Sequence, residues 1–136
     1  MTLLVLSGAI AGVATALLIA RFFAQRYVEI LAVLLAVIAA LYVGPTIGGA
    51  EPAFVLETLV ALVLIALAVY ALRASILVLA AGYALHGLWD LTHGLWVPHI
   101  LPEWYAPMCV GYDLAVAVCI VYEYRRRASI KRHLQS

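Results

Sequence analysis

Five apolar runs, at residues 3–20, 27–43, 53–72, 75–97 and 104–122, leave this chain few ways to fold. An α-helix rises 1.5 Å per residue, so runs of this length match the ~30 Å hydrocarbon layer of a bilayer. Inside that layer each backbone N–H and C=O must find its partner within the protein, which makes the runs helices. Composition agrees: 68% of the 136 residues are hydrophobic and 11% charged, with a mean hydropathy of +1.12. A soluble domain is nearer half apolar and about a quarter charged. The expected fold is all-α, one five-helix transmembrane domain over residues 1–124, followed by a basic tail over 125–136.

Punctuation between the runs supports the same division. Arg21 and Arg26 bracket the first turn, and residues 44–52 hold Gly44, Pro45, Gly48, Gly49 and Pro52, a loop dense in helix breakers. Arg73 ends the third run and Ser75 is placed to cap the fourth helix. Residues 98–107 carry three prolines beside Trp104 and Tyr105, aromatic residues suited to the headgroup zone. No Lys or Arg precedes the first run, which argues against a cleaved leader.

Charge then sets the orientation. With five spans, all eight Lys and Arg residues fall on one side, while the loops of the other side carry only Glu51 and Glu103. The positive-inside rule puts the N-terminus outside and the C-terminus in the cytoplasm. The cluster Arg125–Arg127 with Lys131 and Arg132 is read as a lipid-facing tail and not as a nucleic-acid site. Glu29 lies close enough to Arg26 to pair with it at the interface. Gly8 and Gly12 form G-x-x-x-G, a close-packing pattern open to two uses: a homo-oligomer face or packing within the monomer. Cys109 and Cys119 would lie ~15 Å apart on one helix, too far for a mutual disulfide.

The fourth run breaks the apolar rule. His86, Asp90 and His93 fall within a narrow stripe at ~100° per residue, with Trp89 and Trp96 beside it. Each ionisable side chain at bilayer depth costs about 2.5–3.5 kcal/mol on insertion scales, so an aligned set marks a candidate site. Counting helix rise from the outer ends places Asp113 of the fifth run level with His86 and Asp90, and Glu57 of the third level with His93.

Three chemistries fit this pattern. Imidazole and carboxylate donors from His86, Asp90, His93 and Asp113, with Glu57 as an addition, suit Zn, Fe, Mn or Cu, and Cys109 is a minor further candidate. The same four side chains could instead serve directly as catalytic acids and bases on a lipophilic substrate bounded by Trp89, Trp96 and Tyr112. A proton- or ion-coupled channel or carrier is the third reading. Beside them stands a structural reading, in which the chain is a structural or accessory membrane subunit and the cluster only glues helices. His99 and His133 read as solvated. The leading expectation is an enzyme whose polar centre opens toward the outer leaflet.

The run H-x-x-W-D-x-x-H at His86–His93, followed by Pro107-x-Cys109 and Asp113, resembles a group of small bacterial integral-membrane proteins of unknown function. The resemblance covers mainly the last two runs. It implies a multi-pass protein of the bacterial inner membrane, and no activity.

Overall fold

The computed structural model describes residues 1–47, 51–95 and 101–133. Helix α1 spans Thr2–Phe22, and a single 3-10 turn (Ala24–Arg26) leads into α2, Tyr27–Leu41. A short turn of helix, α3, covers Val43–Thr46; α4 spans Glu51–Ala71, α5 Ile76–Thr92, and α6 Tyr105–His133. A 3-10 turn, His93–Leu95, prolongs α5. Among the described residues there is no strand.

Four of these stretches are long and apolar enough to cross a membrane: Thr2–Phe22, Ala24–Thr46, Pro52–Ala71 and Tyr105–Ile130. Outward-facing leucines and valines on them, such as Leu17, Val33, Val37, Leu62, Val63 and Val118, are more than half exposed. That is the surface a bilayer solvates and water does not.

Two boundaries differ from the expectation. The described residues of the loop assigned to 44–52 are largely helical: Pro45 sits in the first turn of α3, where its missing N–H costs nothing, and α4 already begins at Glu51. Helix α6 does not stop near Tyr122 but continues to His133. Nothing between Val121 and His133 breaks a helix, and Glu123 pairs with Arg126 at 2.8 Å and Arg127 at 2.7 Å, the i,i+3 and i,i+4 contacts that favour one. Ser75 does cap α5, its hydroxyl accepting from the Leu77 N–H.

Packing puts α5 at the centre. It lies against α6 on one side and α4 and α2 on the other, while α1 rests closely on α6 and hardly on α2. The α1–α6 contact is a glycine interface. A Cβ on Gly8 or Gly12 would collide with the backbone of Met108 or Tyr112, and one on Gly111 with the backbone of Val5. Gly8 and Gly12 are therefore filled from within the chain, the second of the two uses the pattern allows. Their register, 8 against 108 and 12 against 112, makes α1 and α6 parallel.

Below the polar centre the bundle is dry. Leu31, Leu35, Leu79, Tyr83, Val116 and Ile120 form a cluster with at most 2% exposure. The Tyr83 hydroxyl donates to the Leu31 carbonyl at 2.8 Å, so even this phenol is satisfied.

Candidate metal and acid–base centre

His86, Asp90 and His93 are all buried, as the stripe requires, but they do not form one centre. Because α5 has polar neighbours on two sides, the stripe is shared between them. Toward α6, the His86 Nδ1 lies 2.7 Å from Asp113 Oδ2 and 3.3 Å from Asp90 Oδ2. Toward α4, the His93 Nε2 lies 2.6 Å from Glu57 Oε1, and the Trp89 indole N–H donates to Glu57 Oε2 at 3.3 Å. Seven helical residues separate the two histidines by ~10 Å along the axis, beyond the reach of one ion. The deep group is His86–Asp90–Asp113; the shallow group is Glu57–His93–Trp89.

Gly87 lets the deep group form. A Cβ there would stand 3.3 Å from the Asp113 Cβ and 3.6 Å from the Val110 carbonyl. With hydrogen in that place, α5 and α6 approach closely enough for an imidazole and a carboxylate to share a proton.

The deep group offers one ligand atom per residue, all within 4.8 Å of one another. Among the described residues it is the only such set of three His, Cys, Asp or Glu side chains. Its electrostatics are incomplete. A protonated imidazole offsets one carboxylate and leaves the other negative, and the nearest basic residue along α6, Arg125, is ~18 Å away. Its hydrogen bonding is incomplete too: His86 Nε2, both oxygens of Asp90 and Asp113 Oδ1 are buried with no hydrogen-bond partner. An orphaned buried polar atom costs about 1–3 kcal/mol, so four in one place call for an occupant or protons.

Tyr42 is a member of this site that the stripe on the fourth run does not reveal. It is 3% exposed and its ring lies between the two groups, 6.1 Å from the His86 ring and 4.7 Å from that of His93. Its hydroxyl lies beside Asp90 and is itself without a completed hydrogen bond. The signal lies in helix length: the second run continues through α3 to Thr46, which sets residue 42 four residues, ~6 Å, in from its end. A tyrosine at a helix end simply reads as an interfacial anchor.

Two openings reach the deep group. A cavity of ≈ 380 Å³ near the bundle end is lined by Tyr42, Asp90, His93, Glu103, Pro107 and Met1. An apolar groove of ≈ 260 Å³ between α1, α2 and α6 ends at Asp113, with Cys109 and Tyr112 on its wall. Of the residues expected to bound a substrate, Tyr112 lies in that groove beside Asp113. Trp89 does not share a cavity with Asp90; it faces Leu59, Val63 and Leu88 on the other side of α5. Trp96 and His99 lie outside the described residues.

The sequence matches DUF6010, a family of unknown function, over residues 3–126, and the chain belongs to that family. Comparison with curated proteins and with solved structures gives no match.

Proposed function

We propose that this DUF6010 protein is a five-span enzyme of the bacterial inner membrane that holds a divalent transition metal between His86, Asp90 and Asp113 and acts on a lipophilic substrate. The observation that carries the reading is the deep group itself: three ligand atoms within 4.8 Å, with four buried polar atoms unpartnered around them. Two carboxylates and one imidazole, with no thiolate, suit Zn, Fe or Mn, and Cu among softer alternatives. Three protein ligands leave coordination positions for water or substrate, and a metal so held acts as a Lewis acid or lowers the pKa of bound water. Asp90 and Asp113 then also serve as proton acceptors beside the reacting atoms, with Tyr42 next to Asp90.

Span number and orientation follow from length and charge. Seventeen residues of α5 plus the 3-10 turn amount to ~31 Å, enough for a fifth crossing. Five crossings gather every Lys and Arg on the cytoplasmic side, with the N-terminus outside and the metal centre in the outer half of the bilayer. The alternative of conduction is disfavoured by the apolar cluster around Leu35, Leu79 and Tyr83, which fills the bundle beneath the centre.

The test is elemental analysis of protein purified in detergent without chelators, wild type beside His86→Ala. Near-stoichiometric metal in the wild type that is lost in the variant supports the reading. Wild-type protein that is folded and metal-free even after incubation with Zn, Fe(II) and Mn salts overturns it.

A further inference from the structure

The groove between α1 and α2 has a consequence beyond the metal centre. Helix α1 is held to α6 by backbone contact at Gly8, Gly12 and Gly111, and it leans on α2 hardly at all. The gap is floored by α6 and walled by Ala11 on one side and Leu34 and Ile38 on the other. Helices exposed to lipid on their outer faces leave such a gap open sideways to the bilayer, so its natural occupant arrives from the membrane.

The chemistry of the walls defines the occupant. They are apolar along their length, and Met108 adds an unbranched side chain that adapts to a flexible chain. Asp113 is among the lining residues, fully buried, with Oδ1 unpartnered. Trp104, Tyr105, Cys109 and Tyr112 are the other side chains on the wall with a hydrogen-bonding group, all neutral, and no Lys or Arg lines the groove. A phosphate or carboxylate head would meet the charge of Asp90 and Asp113 with no cation from the protein to offset it. A hydroxyl can donate to Asp113 Oδ1, and can equally ligate a metal held at the deep group.

We propose that the groove of Ala11, Leu34, Ile38, Met108 and Tyr112 is the lateral entry and binding site for a single-chain lipid with an uncharged hydroxyl head, delivered to Asp113 from within the bilayer. This names the substrate class and route for the enzyme proposed above and rests on its substrate being lipophilic, but it does not require the metal.

The experiment uses the full chain in liposomes with a sixteen-carbon primary alcohol carrying a diazirine along its chain. After illumination, crosslinked peptides are mapped by mass spectrometry. The expected result is labelling of residues 108–112 and 34–38 at least about tenfold above lipid-facing Leu17 and Val118, the ratio that 1.4 kcal/mol of preference gives. In metal-stripped protein unlabelled hexadecanol should compete, and hexadecanoic acid at pH 8 should not. Ala11→Phe or Ile38→Trp, each filling the groove from a lipid-exposed or half-buried position, should abolish the labelling while metal content stays at the wild-type level. Labelling spread evenly over the outer surface overturns the proposal, as does competition by the acid equal to that by the alcohol. Absence of groove labelling in metal-bound wild-type protein would sink this inference alone; groove labelling in wild-type protein that stays metal-free after incubation with Zn, Fe(II) and Mn salts would sink the metal reading alone.

Discussion

The deep and shallow polar groups each set a histidine of the fourth run against a carboxylate from a neighbouring helix, yet they are finished to different degrees. In the shallow group both carboxylate oxygens of Glu57 are taken, one by His93 and one by Trp89. In the deep group a single imidazole nitrogen stands between two carboxylates and bonds only Asp113, and four buried polar atoms are left over. A pair that satisfies itself is what helix glue looks like in a bilayer. A set that cannot satisfy itself is what a binding centre looks like, because its missing partners are supplied by whatever binds. A buried histidine near an acid is therefore poor evidence of function; an inventory of its unpaired atoms is better evidence.

The sharpest test of that contrast is metal content. His86→Ala and Asp113→Asn are expected to remove essentially all bound metal, while Glu57→Gln, which keeps a donor and an acceptor for His93 and Trp89, retains it. Elemental analysis of the three variants beside wild type reads the difference directly. Equal loss in Glu57→Gln would merge the two groups into one centre.

Stability should move the other way. Glu57→Ala strands the His93 ring and the Trp89 indole N–H, and is expected to cost about 1–3 kcal/mol. Asp90→Asn in metal-free protein breaks no completed hydrogen bond and should cost well under 1 kcal/mol, about the scale of a neutral substitution. Thermal denaturation in detergent, both variants stripped of metal, compares them. A larger loss from Asp90→Asn would show that its carboxylate is already bonded in the resting protein.

Geometry gives a smaller handle on the deep group. Gly87→Ala places a methyl 3.3 Å from the Asp113 Cβ, so α6 must yield by a few tenths of an ångström. Misplacing one ligand by that much is expected to weaken metal binding about tenfold, the low end of what disturbed ligand orientation costs. Competition with a calibrated chelator measures it. Unchanged affinity would mean that Asp113 is not a ligand.

Much of this contrast is already written in the sequence, and the missing part is specific. Apolar run length and helix breakers locate the helices, and helix rise alone pairs residue 113 with residues 86 and 90, and residue 57 with residue 93. Rotation is what counting cannot provide. A stripe only ~60° wide from His86 to Asp90 and His93 looks like one site, yet a helix with neighbours on two sides splits it by depth. Trp89 parts from Asp90 for the same reason, since ~60° around α5 carries it from the α6 side to the α4 side. The loop at 44–52 misled because Gly and Pro mark helix ends only on average, and Pro45 occupies the one turn of helix that tolerates it. Gly8 and Gly12 announced close packing correctly but not with which partner, because the residues that receive them lie a hundred positions away.

Tyr42 carries the smallest and most discriminating expectation. Its ring packs against both histidine rings and edge-on to Tyr105 at 5.6 Å, so Tyr42→Phe keeps the packing and removes only an oxygen. That oxygen has no completed bond in the resting protein, so stability should change by less than about 1 kcal/mol. Metal content should also persist, because phenylalanine leaves His86, Asp90 and Asp113 in place. Chelator competition should then show only a few-fold weaker binding, since the hydroxyl is positioned to steady Asp90 once that carboxylate turns toward an ion. Destabilisation as large as that of Glu57→Ala would mean the hydroxyl is part of the glue, and the boundary between the two groups would have to be drawn on the other side of Tyr42.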